Sequence, residues 1–193
     1  MTIHDPTLLP DDLPVPVDDG ACDHLPGMAL PAVALPATDG GMVDLSQPGA
    51  GPAIVFAFPR TGRPGVATPT GWDDIPGARG CTPESCGFRD HYAELADLGI
   101  RVYGLSTQDT EYQREMVGRL ALPFAVLSDA GLAFTRALKL PTFTVDGMVL
   151  IRRLTLVVVD GRIDHVFYPV FPPDEHAAKV VGWLAERRRE RAP

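Results

Sequence analysis

The chain has 193 residues, 45% of them hydrophobic, and carries a formal charge of -8 from 17 basic and 25 acidic side chains. That is enough chain for one domain with a substantial core, and the acidic balance offers no electrostatic attraction to nucleic acid or to an anionic membrane. Three cysteines are too few and too odd for a disulfide-built scaffold, and no apolar run nears membrane-spanning length.

Residues 1 to 26 are rich in Pro and Asp: Pro6, Pro10, Pro14 and Pro16 punctuate Asp5, Asp11, Asp12, Asp18 and Asp19. Proline blocks helices and central strands, and the charges resist burial, so an extended or partly disordered arm is expected, with the folded domain over 27–193. Met1 to Pro6 shows neither the basic nor the apolar part of an export leader, and the expectation is a cytoplasmic chain. Cys22 sits among carboxylates that raise a thiol's pKa, which makes it a bystander.

Met28 to Leu35 is small and apolar, Thr38-Asp39-Gly40-Gly41 is a turn, and Met42 to Leu45 resumes the apolar pattern. These predict an N-terminal β-hairpin. Pro52 to Phe58 is a continuous apolar run of strand length, hence an interior strand covered on both faces, and Pro59 ends it. From Arg60 to Arg79 the chain is rich in Gly and Pro. Its two ends are tied to that strand and to the segment starting at Gly80, which favours a wall or lid held down by Trp72.

At Gly80-Cys81-Thr82-Pro83-Glu84-Ser85-Cys86 a helix is expected, with Thr82 as N-cap, Pro83 at the first helical position and Glu84 favourable to the dipole. Phe88, Tyr92, Leu95 and Leu98 recur at helical spacing until Gly99. Strands are predicted at Ile100 to Ser106 and Phe124 to Ser128, and helices at 107–120, capped by Asp109 or Thr110, and 132–138. Arg153 to Val159 is a buried strand, Asp160-Gly161 a hairpin turn, and Ile163 to Tyr168 its return. A last helix begins near Pro172-Pro173, with Ala177, Val180, Val181 and Leu184 inward and a solvated charged tail. Strands alternating with helices predict a layered α/β domain around a mixed sheet.

Cys81 would lie at a helix N-terminus, where free amides and the dipole lower a thiol's pKa and make it nucleophilic. If Cys86 shares that helix, the two Cα atoms stand about 8–9 Å apart, beyond the roughly 7 Å that a disulfide tolerates, so a bond between them requires the first turn to unwind. Zinc is disfavoured, since no histidine spacing completes four ligands. His91 is nearly three turns from Cys81, and His4, His24, His165 and His176 are scattered, so none is assigned a role.

Gly-Cys-Thr-x-x-x-Cys-Gly-Phe-Arg-Asp over 80–90 resembles the active-site segment of the peroxiredoxin Q (bacterioferritin comigratory protein) group of peroxiredoxins. The resemblance runs from about Leu25 to Leu184 and implies a thioredoxin-like three-layer α/β/α sandwich. It implies a peroxidase in which Cys81 attacks hydrogen peroxide or an organic hydroperoxide and Cys86 resolves the sulfenic acid as an intramolecular disulfide. A thioredoxin-like protein would recycle it, no cofactor or metal would be needed, and a monomer or weak homodimer would suffice. Arg153-Leu154-Thr155 is similar to the Arg-x-Thr segment that supplies the family's active-site arginine; Arg152, its neighbour, would point the other way. One departure stands out. The family's Pro-x-x-x-Thr/Ser-x-x-Cys is absent, because Ala78 and Asp74 occupy those places. Pro59 looks like the displaced proline, which leaves Thr61, or no residue, to supply the hydroxyl. Arg60, Arg63 and Arg79 belong to the same loop and would add positive potential near Cys81 or be merely solvated. Two rivals are a thioredoxin-like disulfide oxidoreductase, disfavoured because four residues separate Cys81 from Cys86, and a non-enzymatic peroxide sensor.

Overall fold

The computed structural model describes residues 9–10, 12–48 and 51–190; Met1 to Pro6, His4 among them, and Arg191 lie outside the described residues. Five strands form the central sheet in the order β5-β4-β3-β8-β9, where β3 is Ala53–Ala57, β4 Arg101–Ser106, β5 Val126–Ser128, β8 Leu154–Val159 and β9 Arg162–Phe167. β3 pairs parallel with β4, which pairs parallel with β5, whereas β8 runs antiparallel to both β3 and β9. The sheet is therefore mixed.

Every residue of β3 is buried. Its alternation divides the core: Ala53, Val55 and Ala57 face one apolar cluster, Ile54, Phe56 and Phe58 the other. The first cluster takes in Leu35 of the hairpin β1 (Ala34–Pro36) and β2 (Met42–Asp44), together with Phe134 and Leu138 of α4 (Ala133–Leu138). The second takes in α1 (Cys81–Asp90), α2 (Tyr92–Asp97), α3 (Thr110–Leu120) and α5 (His176–Glu190). Helices on both faces of a mixed sheet make the thioredoxin-like sandwich.

Several local expectations are corrected. The helix at Cys81 is not capped by Thr82: Gly80, at φ 99°, is the N-cap, Cys81 is the first helical residue and Thr82 is buried in the first turn. A side chain at Gly80 would collide with Pro173, so only glycine lets the 173 segment close over the helix start. Pro83 is still tolerated there, because the first helical bond is donated by Glu84 N–H to Gly80 O, one residue beyond it. The predicted continuous helix breaks at His91 into α1 and α2, and Gly99, at positive φ, terminates the pair. The next helix starts at Thr110 rather than 107, with the Asp109 carboxylate accepting from Tyr112 N–H at 2.7 Å.

A second hairpin, β6 (Thr142–Val145) and β7 (Met148–Ile151), was not anticipated. Its Asp146-Gly147 turn has positive φ at both residues, the same chemistry that was recognised at Asp160-Gly161. Residues 12–19 have no regular structure, but turns at 20–24 fold Cys22 into the core beside Leu25. Burial first, then Asp19, Asp18 and Asp23, push the Cys22 thiol up to about 12.

Candidate active site

β3 ends beside the carboxyl end of β4, and the chain leaves it through Phe58-Pro59-Arg60-Thr61. The long loop after it is pinned by Trp72, whose buried ring packs with Ala78, Val145 and Leu150 and tilts against Phe143 at 6.1 Å. The unanticipated hairpin is thus what Trp72 grips. The loop then delivers Cys81 to the start of α1, where the thiol is 3% exposed.

Among the described residues the sulfur has two polar partners within hydrogen-bonding reach. The thiol donates to Ala78 O at 3.6 Å. It accepts from Arg153 Nη2 at 3.1 Å. Arg153, just ahead of β8, is buried, and its Nη2 also donates to Arg79 O at 2.9 Å and Ala78 O at 3.3 Å. Its Nη1 pairs with the carboxylate of Glu84. Arg152 turns to a different set, Asp19 at 2.8 Å and Tyr168.

Glu84 went unremarked in the sequence except as a dipole-stabilising charge. In the fold it is fully buried, and burial pushes its carboxyl up to about 7 against the pull of Arg153. The expected lowering of the Cys81 pKa is not met in this closed arrangement. Burial pushes the thiol up, Arg153 pulls it down, Glu84 pushes it up again, and the Arg60 N–H pulls it down. One buried cation faces two acids, and in a low-dielectric site it compensates only one anion well. A proton on Glu84 leaves the charge of Arg153 to the sulfur.

Glu84→Gln should therefore move Cys81 ionisation to lower pH, read from thiolate ultraviolet absorbance in a Cys22→Ser/Cys86→Ser background; an unchanged or higher ionisation pH contradicts the coupling. Stability carries the opposite signature. Glu84's folded pKa of about 7 exceeds its ordinary 4.5, so its contribution is complete at acid pH and is lost as pH rises through that interval. Glu84→Gln should flatten the loss in denaturant titrations.

Cys86 lies one and a half turns along α1, half-buried, and all three cysteines are free thiols. Burial raises its pKa, offset by the cations of Arg89 and Arg119. Thr61 is buried with its hydroxyl donating to Gln108 Oε1 at 3.3 Å, not to the sulfur. Arg60 and Arg63 lay their guanidinium groups over the Tyr112 ring at 5.0 and 4.1 Å, and Arg79 pairs with Asp73 at 3.3 Å. Arg79 also reaches the site through its carbonyl, which accepts from Arg153 Nη2. His176, unassigned in the sequence, bonds Thr155 at 2.8 Å behind the site; burial, then the cations of Arg153 and Lys179, lower its pKa to about 3 and keep it neutral. Among the described residues no three His, Cys, Asp or Glu side chains are grouped as metal ligands would be.

Residues 25–181 match the Redoxin family model. Peroxiredoxin Bcp of Escherichia coli (strain K12) is 29% identical over 169 residues, covering 83% of this chain and 95% of the relative. The chloroplastic peroxiredoxin Q of Oryza sativa subsp. japonica is 27% identical over 155 residues, covering 80% of this chain; the chain spans only 64% of that longer relative. Among solved structures, the peroxidoxin BcpB of Mycobacterium tuberculosis superposes with a TM-score of 0.66 at 24% identity, over 84% of this chain and 98% of that one. The peroxiredoxin Q of Xanthomonas campestris does so at 0.62 and 18% identity, over 91% and 98%. Both structures share the fold.

Proposed function

The chain belongs to the Redoxin family, and we propose that it works as a thiol-dependent peroxidase of the peroxiredoxin Q kind, with Cys81 as the attacking sulfur. The observation that carries this reading is Arg153 Nη2 at 3.1 Å from Cys81 Sγ, in a site closed from water. A guanidinium there favours the thiolate and offsets charge that builds on the peroxide oxygens as the O–O bond breaks.

The Cys81 thiolate attacks the terminal oxygen of a hydroperoxide. An S–O bond forms, the O–O bond breaks, and the departing alkoxide or hydroxide takes a proton, leaving sulfenic acid. Thr61 completes the proposed set: its hydrogen is committed to Gln108, so its oxygen offers lone pairs to a peroxide O–H. The first turn of α1 then unwinds, and the Cys86 sulfur attacks Cys81. The S–S bond forms, the S–O bond breaks, and water leaves. A thioredoxin-like dithiol returns both sulfurs to thiols by exchange. Both cysteines come from α1, so one chain is sufficient. Three cysteines, an odd and small number, support a reducing compartment such as the cytoplasm.

Mass spectrometry after an equivalent of hydrogen peroxide tests the scheme. The expected product is a Cys81–Cys86 disulfide with Cys22 untouched. Cys86→Ser should stop at sulfenic acid on Cys81, trapped by a dimedone-type reagent, while the first oxidation keeps its rate. A crosslink through Cys22, or an unmodified Cys81, would contradict the assignment.

A further inference from the structure

The arm over residues 12–19 has no regular structure, yet it lies along the segment that leads into Cys81. Leu9 Cδ2 stands 3.2 Å from where a Cβ at Gly80 would be, and Pro16 Cγ stands 3.6 Å from the same position at Gly77. Beyond Pro16 the arm is latched to the domain. Asp19 Oδ2 accepts from Arg152 Nη1 at 2.8 Å, and its Oδ1 accepts from the Tyr168 hydroxyl at 2.9 Å and from Ala21 N–H at 3.2 Å.

Between the arm and the domain lies a cavity of about 310 Å³. Val15 and Val17 form the arm's side of it, and Ile75, Phe143 and Val170 continue the apolar wall. Arg153 also lines it, and that same guanidinium donates to Cys81 Sγ at 3.1 Å. Pro76 and Gly77 belong to the wall too, and Ala78, directly after them, accepts from the Cys81 thiol. A molecule held in the cavity is therefore one side chain away from the reacting sulfur.

Size, exposure and charge point to its occupant. A cavity of about 150 Å³ holds benzene, whereas a water-sized molecule takes about 30 Å³, so hydrogen peroxide leaves most of this space unused. Val15 is 61% and Val17 80% exposed, more than any other large apolar side chain among the described residues. An apolar group bound against them removes that surface from water. The two cations in the wall each face a carboxylate, Arg152 with Asp19 and Arg153 with Glu84, so neither is left to draw in an anionic substrate. We infer that the arm, through Val15 and Val17, builds a subsite for the apolar group of a bulky, neutral hydroperoxide and sets specificity toward it over hydrogen peroxide. The inference deepens the peroxidase reading and rests on it, and its test keeps the two apart.

Single-turnover oxidation of Cys81 is timed with cumene hydroperoxide and, separately, with hydrogen peroxide. Val15→Ser/Val17→Ser should lower the second-order rate with cumene hydroperoxide by about tenfold, the worth of burying about one valine side chain, and leave that with hydrogen peroxide within about twofold. Met42→Ser, at a side chain 60% exposed on β2 and outside the cavity, should change neither rate. Equal losses with both peroxides, or no loss with cumene hydroperoxide, overturn the inference. A double variant slowed only in its reduction by a thioredoxin-like protein would make the cavity a partner's seat and overturn it as well. Binding is read without turnover in Cys81→Ser. There cumyl alcohol, the product of cumene hydroperoxide, should shift the Val15 and Val17 methyl resonances in NMR spectra, and no shift at either residue sinks the subsite whatever the rates. A parent chain inert to both peroxides that still binds cumyl alcohol at these residues would count against the peroxidase alone.

Discussion

A Cys81→Ser chain consumes no peroxide above the uncatalysed background, a loss of at least about 10³-fold measured with a dithiol reductant in excess. The reaction needs an anion that is polarisable and present at neutral pH, and then needs that atom to keep an oxygen. A serine hydroxyl ionises far too weakly to supply the first and forms no counterpart of sulfenic acid. The substitution is nearly isosteric and retains a donor for Ala78 O, so the fold should stand and the loss should read as chemistry. If the variant retains a tenth of the parent's rate, the attacking sulfur is Cys86 or Cys22, and the reading of the site is wrong.

Arg153→Met has two effects, and they can be pulled apart. The second-order rate of Cys81 oxidation should fall by about 10²–10³-fold, as when a preorganised donor to developing charge is removed. The fold should also weaken by about 3–5 kcal/mol, because the Glu84 carboxylate is left buried without its cation. That deficit should shrink at acid pH, where Glu84 takes a proton, and grow as pH rises. Adding Glu84→Gln to Arg153→Met should restore much of the stability and none of the rate. Stopped-flow oxidation and denaturant unfolding read the two separately. A double variant that recovered the rate would mean that Arg153 serves the reaction only by neutralising Glu84, and not through its contact with the sulfur.

Much of the local architecture was legible because it depends on neighbours in sequence. Within the apolar run at 52–58, Ala53–Ala57 became a strand buried on both faces, Asp160-Gly161 a hairpin, and Asp109, one of two candidate caps beside Thr110, the helix cap. Where the sequence reading failed locally, the signal was present. Asp146-Gly147 between alternating residues carries the same turn chemistry, and Gly80 offers a positive φ that Thr82 cannot adopt without strain. Arg153 was identified through its likeness to a family segment, since nothing local ties it to a cysteine 72 positions away.

The order of residues alone thus places a thiol where α1 begins, a second thiol on the same helix, and a long Gly- and Pro-rich loop leading to them. The surroundings of the sulfur came from folding. It buried Glu84 against Arg153, set Trp72 on the β6–β7 hairpin, and brought Gln108 and Tyr112 onto Thr61. Burial also reversed the direction expected for the thiol's ionisation. A helix end acts over one turn and can be read from adjacent residues, whereas desolvation and ion pairing depend on which distant segments exclude water from the same few ångströms.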